Sequence, residues 1–132
     1  MGNDNITVLV VEPEKKPYVK SIASGLASLQ HEVGGYIQAV YLWEDDPCAL
    51  ICDDEGKLKN NQYNRVLRDE DGDIYDVIAG TFLVVGLGKE NFVSLEAKYI
   101  KKYSELFAKP ELFIRTGDRL IVLAEEEPDD EF

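Results

Sequence analysis

The chain has 132 residues, 45% of them hydrophobic and 30% charged, with a formal net charge of −12. This is the length of one domain, and the apolar content exceeds that of a disordered chain. The negative charge repels phosphate backbones and anionic lipid, so direct nucleic-acid binding and membrane docking are disfavoured.

Ile6–Val11 is a continuous β-branched run, which predicts a strand covered on both faces. Glu12 and Pro13 end it. Pro17 suits a first helical turn, and Val19, Ile22, Leu26, Leu29 and Val33 follow at steps of three and four. This predicts one amphipathic helix from Pro17 to Val33, stopped by Gly34 and Gly35. Tyr36–Trp43 and Ala49–Cys52 read as a β-hairpin around the acidic, proline-containing turn at 44–47. Lys57–Asn64 is polar and rich in asparagine, which reads as a loop. An acidic turn follows around Gly72. Ile74–Gly86 is the most apolar stretch, with Gly80 marking a bend or bulge and Thr81–Val85 a central strand.

Ser94 is placed to cap a second helix running to Ala108, with Leu95, Tyr99, Tyr103 and Phe107 at four-residue steps. Pro110 stops it. Asp118–Ala124 reads as a last strand. The eight residues from 125 to 132 hold six acids and no base, which is half of the charge excess, and they read as a disordered acidic tail. Residues 1–124 then form a single α+β domain, with a mixed, mostly antiparallel sheet, two packed helices and the order β-α-β-β-β-α-β.

Most motifs of known chemistry fail on spacing. One histidine, His31, and two cysteines, Cys48 and Cys52, make no zinc pattern. On a strand the two cysteine Cα atoms would lie roughly 13 Å apart at about 3.3 Å per residue. A disulfide spans less than about 7 Å, so two reduced thiols are expected, in keeping with a cytoplasmic protein. No signal peptide or membrane span is visible. With Gly72 at the calcium-loop glycine position, Leu67 and Ile78 occupy the two essential acid positions. Around Gly86, Gly88 and Lys89 neither a phosphate loop nor a dinucleotide fingerprint is completed. His31 has no nucleophile elbow near it. No metal or cofactor is expected.

What remains is Asn64–Arg65 followed by Tyr75, Asp76 and Gly80. An arginine fork beside an asparagine can be a fixed polar recognition point, or it can pair with a local acid while the asparagine caps a turn. Trp43 at a strand end is a further candidate as a partner anchor, or else a packing residue.

The segments VLVVEP (Val8–Pro13), PYVKSI, LASLQHEVGGYIQAVY, ALICDDEGKL, NRVLRDEDGDIYDVIAGTFLVVG and NFVSLE resemble the domain-of-unknown-function family 3846. The likeness covers residues 6–107 and is most specific at Asn64–Arg65 and the IYDVIAGTF block. It implies a protein of Firmicutes bacteria, their phages or their mobile elements, and brings no catalytic residues with it. The expected function is a cytosolic binding or accessory protein that modulates a host protein or sequesters a small ligand. The alternative is a small enzyme acting on a nucleotide-like substrate, with Arg65 as anion fork and Asp76 and Tyr75 as polar partners.

Overall fold

A computed structural model describes residues 5–42 and 45–124. Trp43 and the tail at 125–132 lie outside the described residues. In chain order the elements are β1 (Asn5–Val11), β2 (Tyr18–Ala23), α1 (Leu26–Val33), β3 (Ile37–Val40), β4 (Cys48–Asp53) and β5 (Tyr63–Arg68). There follow β6 (Ile74–Ala79), β7 (Phe82–Leu87), β8 (Phe92–Val93), α2 (Ala97–Leu106), β9 (Glu111–Thr116) and β10 (Arg119–Ala124). All pairings among them are antiparallel, and the fold is α+β.

The main sheet has the order β2-β1-β7-β4-β3, with β8 also paired to β7. Its central strands are the apolar runs of the sequence, and alternation along each divides the core between two faces. Leu9, Val11, Leu50, Phe82 and Val84 point to one face, where Tyr103 and Phe107 of the α2 region and Leu67 and Ile78 of the β5–β6 ribbon cover them. Val8, Val10, Ile51, Leu83 and Val85 point to the other, covered by Leu29 and Val33 of α1. Both faces are buried, which is why these strands are continuously hydrophobic and not alternating.

Three elements differ from the sequence pattern. The expected helix from Pro17 is a strand as far as Ala23, paired with β1 from Asn5↔Ala23 to Val10↔Tyr18. Without it β1 would present an open edge. Gly25 then takes φ 110, and the helix starts only at Leu26. Val19 and Leu26, which a single helix would bury together, are both more than half exposed. Gly34 ends α1 in the left-handed conformation, as expected. Second, Tyr63–Arg68 is a strand although its first residues read as a loop, because two of its buried positions are polar. Third, Ser94 does not cap α2. Its Oγ accepts a hydrogen bond from Thr7 N at 2.9 Å, and the helix begins after Glu96. The short strand β8 and strand β9 also go beyond the expected order, and β9 pairs with the expected last strand in a hairpin.

Gly80 separates β6 from β7 at φ 88, where a side chain is strained, and an added Cβ would lie 3.0 Å from Asn61 Nδ2. Gly80→Ala should therefore destabilise the fold by about 1–2 kcal/mol. Chemical denaturation would read this as a lower midpoint with unchanged slope.

Candidate functional site

Asn64 and Arg65 are the most buried polar residues described, at 0% and 1% exposure. They sit on β5 where it crosses the sheet face under the C-terminal end of α2. The Arg65 guanidinium donates from Nε to Phe107 O (3.3 Å), from Nη2 to Phe107 O (3.0 Å) and Lys15 O (2.7 Å), and from Nη1 to Asn64 O (3.2 Å) and Asn64 Oδ1 (2.8 Å). All five N–H donors thus meet oxygen acceptors, and none of these is a carboxylate. Asn64 Nδ2 in turn donates to Val11 O and Gly80 O, both at 2.9 Å. One polar cluster therefore ties together the end of β1, the β6–β7 bend, β5 and the last carbonyl of α2. A cation at that end also complements the helix dipole. Burial pulls the guanidinium below its ordinary pKa, and the nearby charge of Glu111 opposes this.

Above this cluster lies a groove of about 240 Å³ between β5 and the end of α2. Leu42, Val66, Leu67, Leu106 and Ala108 line its walls, together with Arg65. Arg68, Glu105, Lys109 and Glu111 are the remaining charged lining residues. Of the acids, Glu111 is committed to structure, since its Oε1 accepts from Val66 N at 2.7 Å and anchors β9 to β5.

The structure brings Asn64, Arg65 and Gly80 together and places Tyr75 and Asp76 elsewhere. Tyr75 is half exposed on β6. Asp76 pairs with Lys57 at 2.7 Å and lines a different cavity, of about 350 Å³, with Gln38, Cys52, Asp53 and Lys57. Asp53 there is buried. Burial raises its carboxyl, but Lys59 Nζ at 2.6 Å and the Glu55 N–H outweigh this and hold it below the ordinary carboxylate range. Lys59 also donates to Gly34 O at 3.0 Å, so Asp53 and Lys59 together hold the end of α1. The groove was not legible in the sequence, because its walls come from segments about 40 residues apart. The signal within reach was the pair of polar residues just before Val66 and Leu67.

Cys48 and Cys52 are free and buried. Burial, with lesser contributions from Asp46 and Asp76 respectively, pushes both thiols up to about 11. Neither is a thiolate near neutrality. Asp69, Asp71 and Asp73 bring carboxylate oxygens within 4.8 Å of one another on the exposed β5–β6 turn. Asp69 Oδ1 accepts from Asp71 N and Asp73 N at 2.9 Å each, which is how the expected acidic turn is made.

Residues 6–108 match the family described as domain of unknown function (DUF3846), and the chain belongs to that family. No curated protein and no solved structure matches it. Among the described residues, no helix is long and apolar enough to cross a membrane.

Two predictions follow from this geometry. Asn64→Ala removes a donor from one buried and one part-buried carbonyl and an acceptor from one guanidinium N–H, so it should lower stability by about 2–4 kcal/mol, read as a loss of denaturation midpoint. For the thiols, a folded pKa raised above the unfolded value means that their stabilisation is complete below about pH 9 and is lost as pH rises through about 11. Cys48→Ala/Cys52→Ala should flatten the fall in melting temperature measured across that window.

Proposed function

We propose that this is a non-enzymatic binding protein, and that the groove between β5 and α2 takes a small molecule with an apolar body and a negatively charged end. The observation that carries this is the buried Arg65 charge, which has no carboxylate among its acceptors and lies at an aliphatic groove. Neutral carbonyls satisfy the donors without cancelling the charge, and Arg65, Arg68 and Lys109 outnumber Glu105 and Glu111 in the lining by three to two, which leaves the groove a net +1. Arg68 and Lys109 are the exposed cations of the lining. The volume lies below the roughly 300–1,000 Å³ of drug-sized sites, which favours a small ligand.

The placement of the polar residues weighs against the enzyme alternative. Arg65 has its donors committed, and Asp76 lines another cavity. Two buried, reduced thiols fit a reducing cytoplasm. The resemblance to proteins of Firmicutes and their phages suits an accessory role there, in which the ligand is sequestered or its binding modulates a host protein.

Octanoate and 1-octanol share an apolar body and differ in charge, so calorimetric titration with each separates the two contributions. Octanoate should bind more tightly. Arg68→Glu/Lys109→Glu, at two exposed positions, should weaken octanoate about fivefold and leave 1-octanol unchanged. Equal binding of both compounds, or of neither, would refute the reading.

A further inference from the structure

A ligand with a negative end needs a hydrogen-bond donor for that end inside the groove. Arg65 does not supply one, because its five N–H donors are committed to oxygens of Phe107, Lys15 and Asn64. Arg68 and Lys109 are exposed, and water screens their charges. The backbone N–H of Val66 is a buried donor in the lining, one residue along β5 from Arg65. A carboxylate already sits on it: Glu111 Oε1 accepts from Val66 N at 2.7 Å, the short distance of a charge-assisted bond. The same carboxylate acts on the Arg65 charge without bonding to it. Glu111 is itself part of the groove wall and is half-buried there. The chain thus holds a carboxylate of its own on a peptide N–H beside a buried guanidinium.

We propose that the Val66 N–H beside Arg65 is the seat of the ligand's anionic end, and that Glu111 is a built-in competitor that occupies it until a small aliphatic carboxylic acid takes its place. This rests on the groove being the binding site described above, and adds the class of its ligand and the regulation of its access. Glu111 opens β9 directly after the buried Pro110, so its carboxylate is tethered at high effective concentration. A tethered occupant lowers the apparent affinity of a free ligand by the fraction of time that the seat stands open. The two cannot be bound together, because they would share one N–H and repel each other as like charges. Glu111 can leave while the hairpin stays attached, since the Phe113 and Tyr63 rings lie 5.5 Å apart and Arg115 Nη2 donates to Tyr63 OH at 2.8 Å. The exchange puts one carboxylate in place of another, so the buried N–H is satisfied in both states and neither carries the cost of an orphaned donor.

Calorimetric titration of the full chain with octanoate and with 1-octanol reads the competition. Glu111→Ala empties the seat and should tighten octanoate at least about fivefold, with little change for 1-octanol. Glu105→Gln removes the same charge from the groove lining without touching the Val66 N–H, and should tighten octanoate by less than about twofold. Glu111→Gln leaves a neutral and weaker oxygen on the N–H, gives a gain between these two, and serves if Glu111→Ala fails to fold. In amide NMR spectra the Val66 proton should move upfield in Glu111→Ala and return downfield as octanoate is added. Equal gains from Glu111→Ala and Glu105→Gln would mean a charge effect alone and would overturn the assignment of the seat. A folded Glu111 variant that binds octanoate no more tightly than wild type overturns it too, and leaves the groove standing as a binding site if octanoate is still preferred to 1-octanol. If wild type and the Glu111 variants all bind the two compounds alike, the groove reading falls with it.

Discussion

A buried guanidinium with no carboxylate bonded to it is the constraint around which this molecule is arranged. An ionised group in a protein interior is costly unless its donors are met, and Arg65 makes five hydrogen bonds to four oxygens contributed by three separate segments: Lys15 beyond β1, Asn64 on its own strand and Phe107 at the end of α2. Those segments cannot move independently without orphaning a donor. Asn64 extends the same logic to Val11 and Gly80. The cluster therefore fixes where α2 ends, where β1 stops and where the chain turns into β7. Such a network specifies one arrangement more than it adds stability.

The candidate binding groove is a by-product of that arrangement. Holding Phe107 O down onto Arg65 leaves a gap between the last turn of α2 and the outer side of β5, and Leu42, Val66 and Leu106 are the residues available to line it. The charge below is hydrogen-bonded only by neutral acceptors, with the Glu111 carboxylate acting on it without a direct bond. Glu111, the nearest counter-charge, is drawn to the Val66 amide instead. Structure and binding chemistry thus share the same residues, so a binding test reads most clearly on the exposed rim.

The hairpin stands apart from this core. It lies beyond the segment that matches the family and is attached mainly through Glu111, Phe113 and Arg115. Its inner face has the mixed polar and aromatic contacts of an attached element, and its outer face carries Leu112, Ile114, Ile121 and Leu123 beside Thr116 and Arg119. The difference between the faces makes the hairpin an addition to the domain with a surface of its own.

Where neighbours along the chain decide conformation, the sequence was sufficient. The runs that became β1, β4 and β7, the β3–β4 hairpin, the left-handed stop at Gly34, the bend at Gly80 and the aromatic stripe of α2 were all legible, because each rests on local steric preference or on a period of apolar residues. The sequence also pointed to Asn64 and Arg65, though not to their buried state. Tertiary structure decided the rest. Tyr18–Ala23 became a strand because β1 needed an edge partner, which a three-and-four spacing shared with helices does not reveal. Tyr63–Arg68 was hidden because its polar residues depend on carbonyls at Val11, Lys15, Gly80 and Phe107, between 16 and 53 positions away. Long-range hydrogen bonds of that kind leave no local pattern, and they made a polar stretch into the interior strand beside which the groove forms.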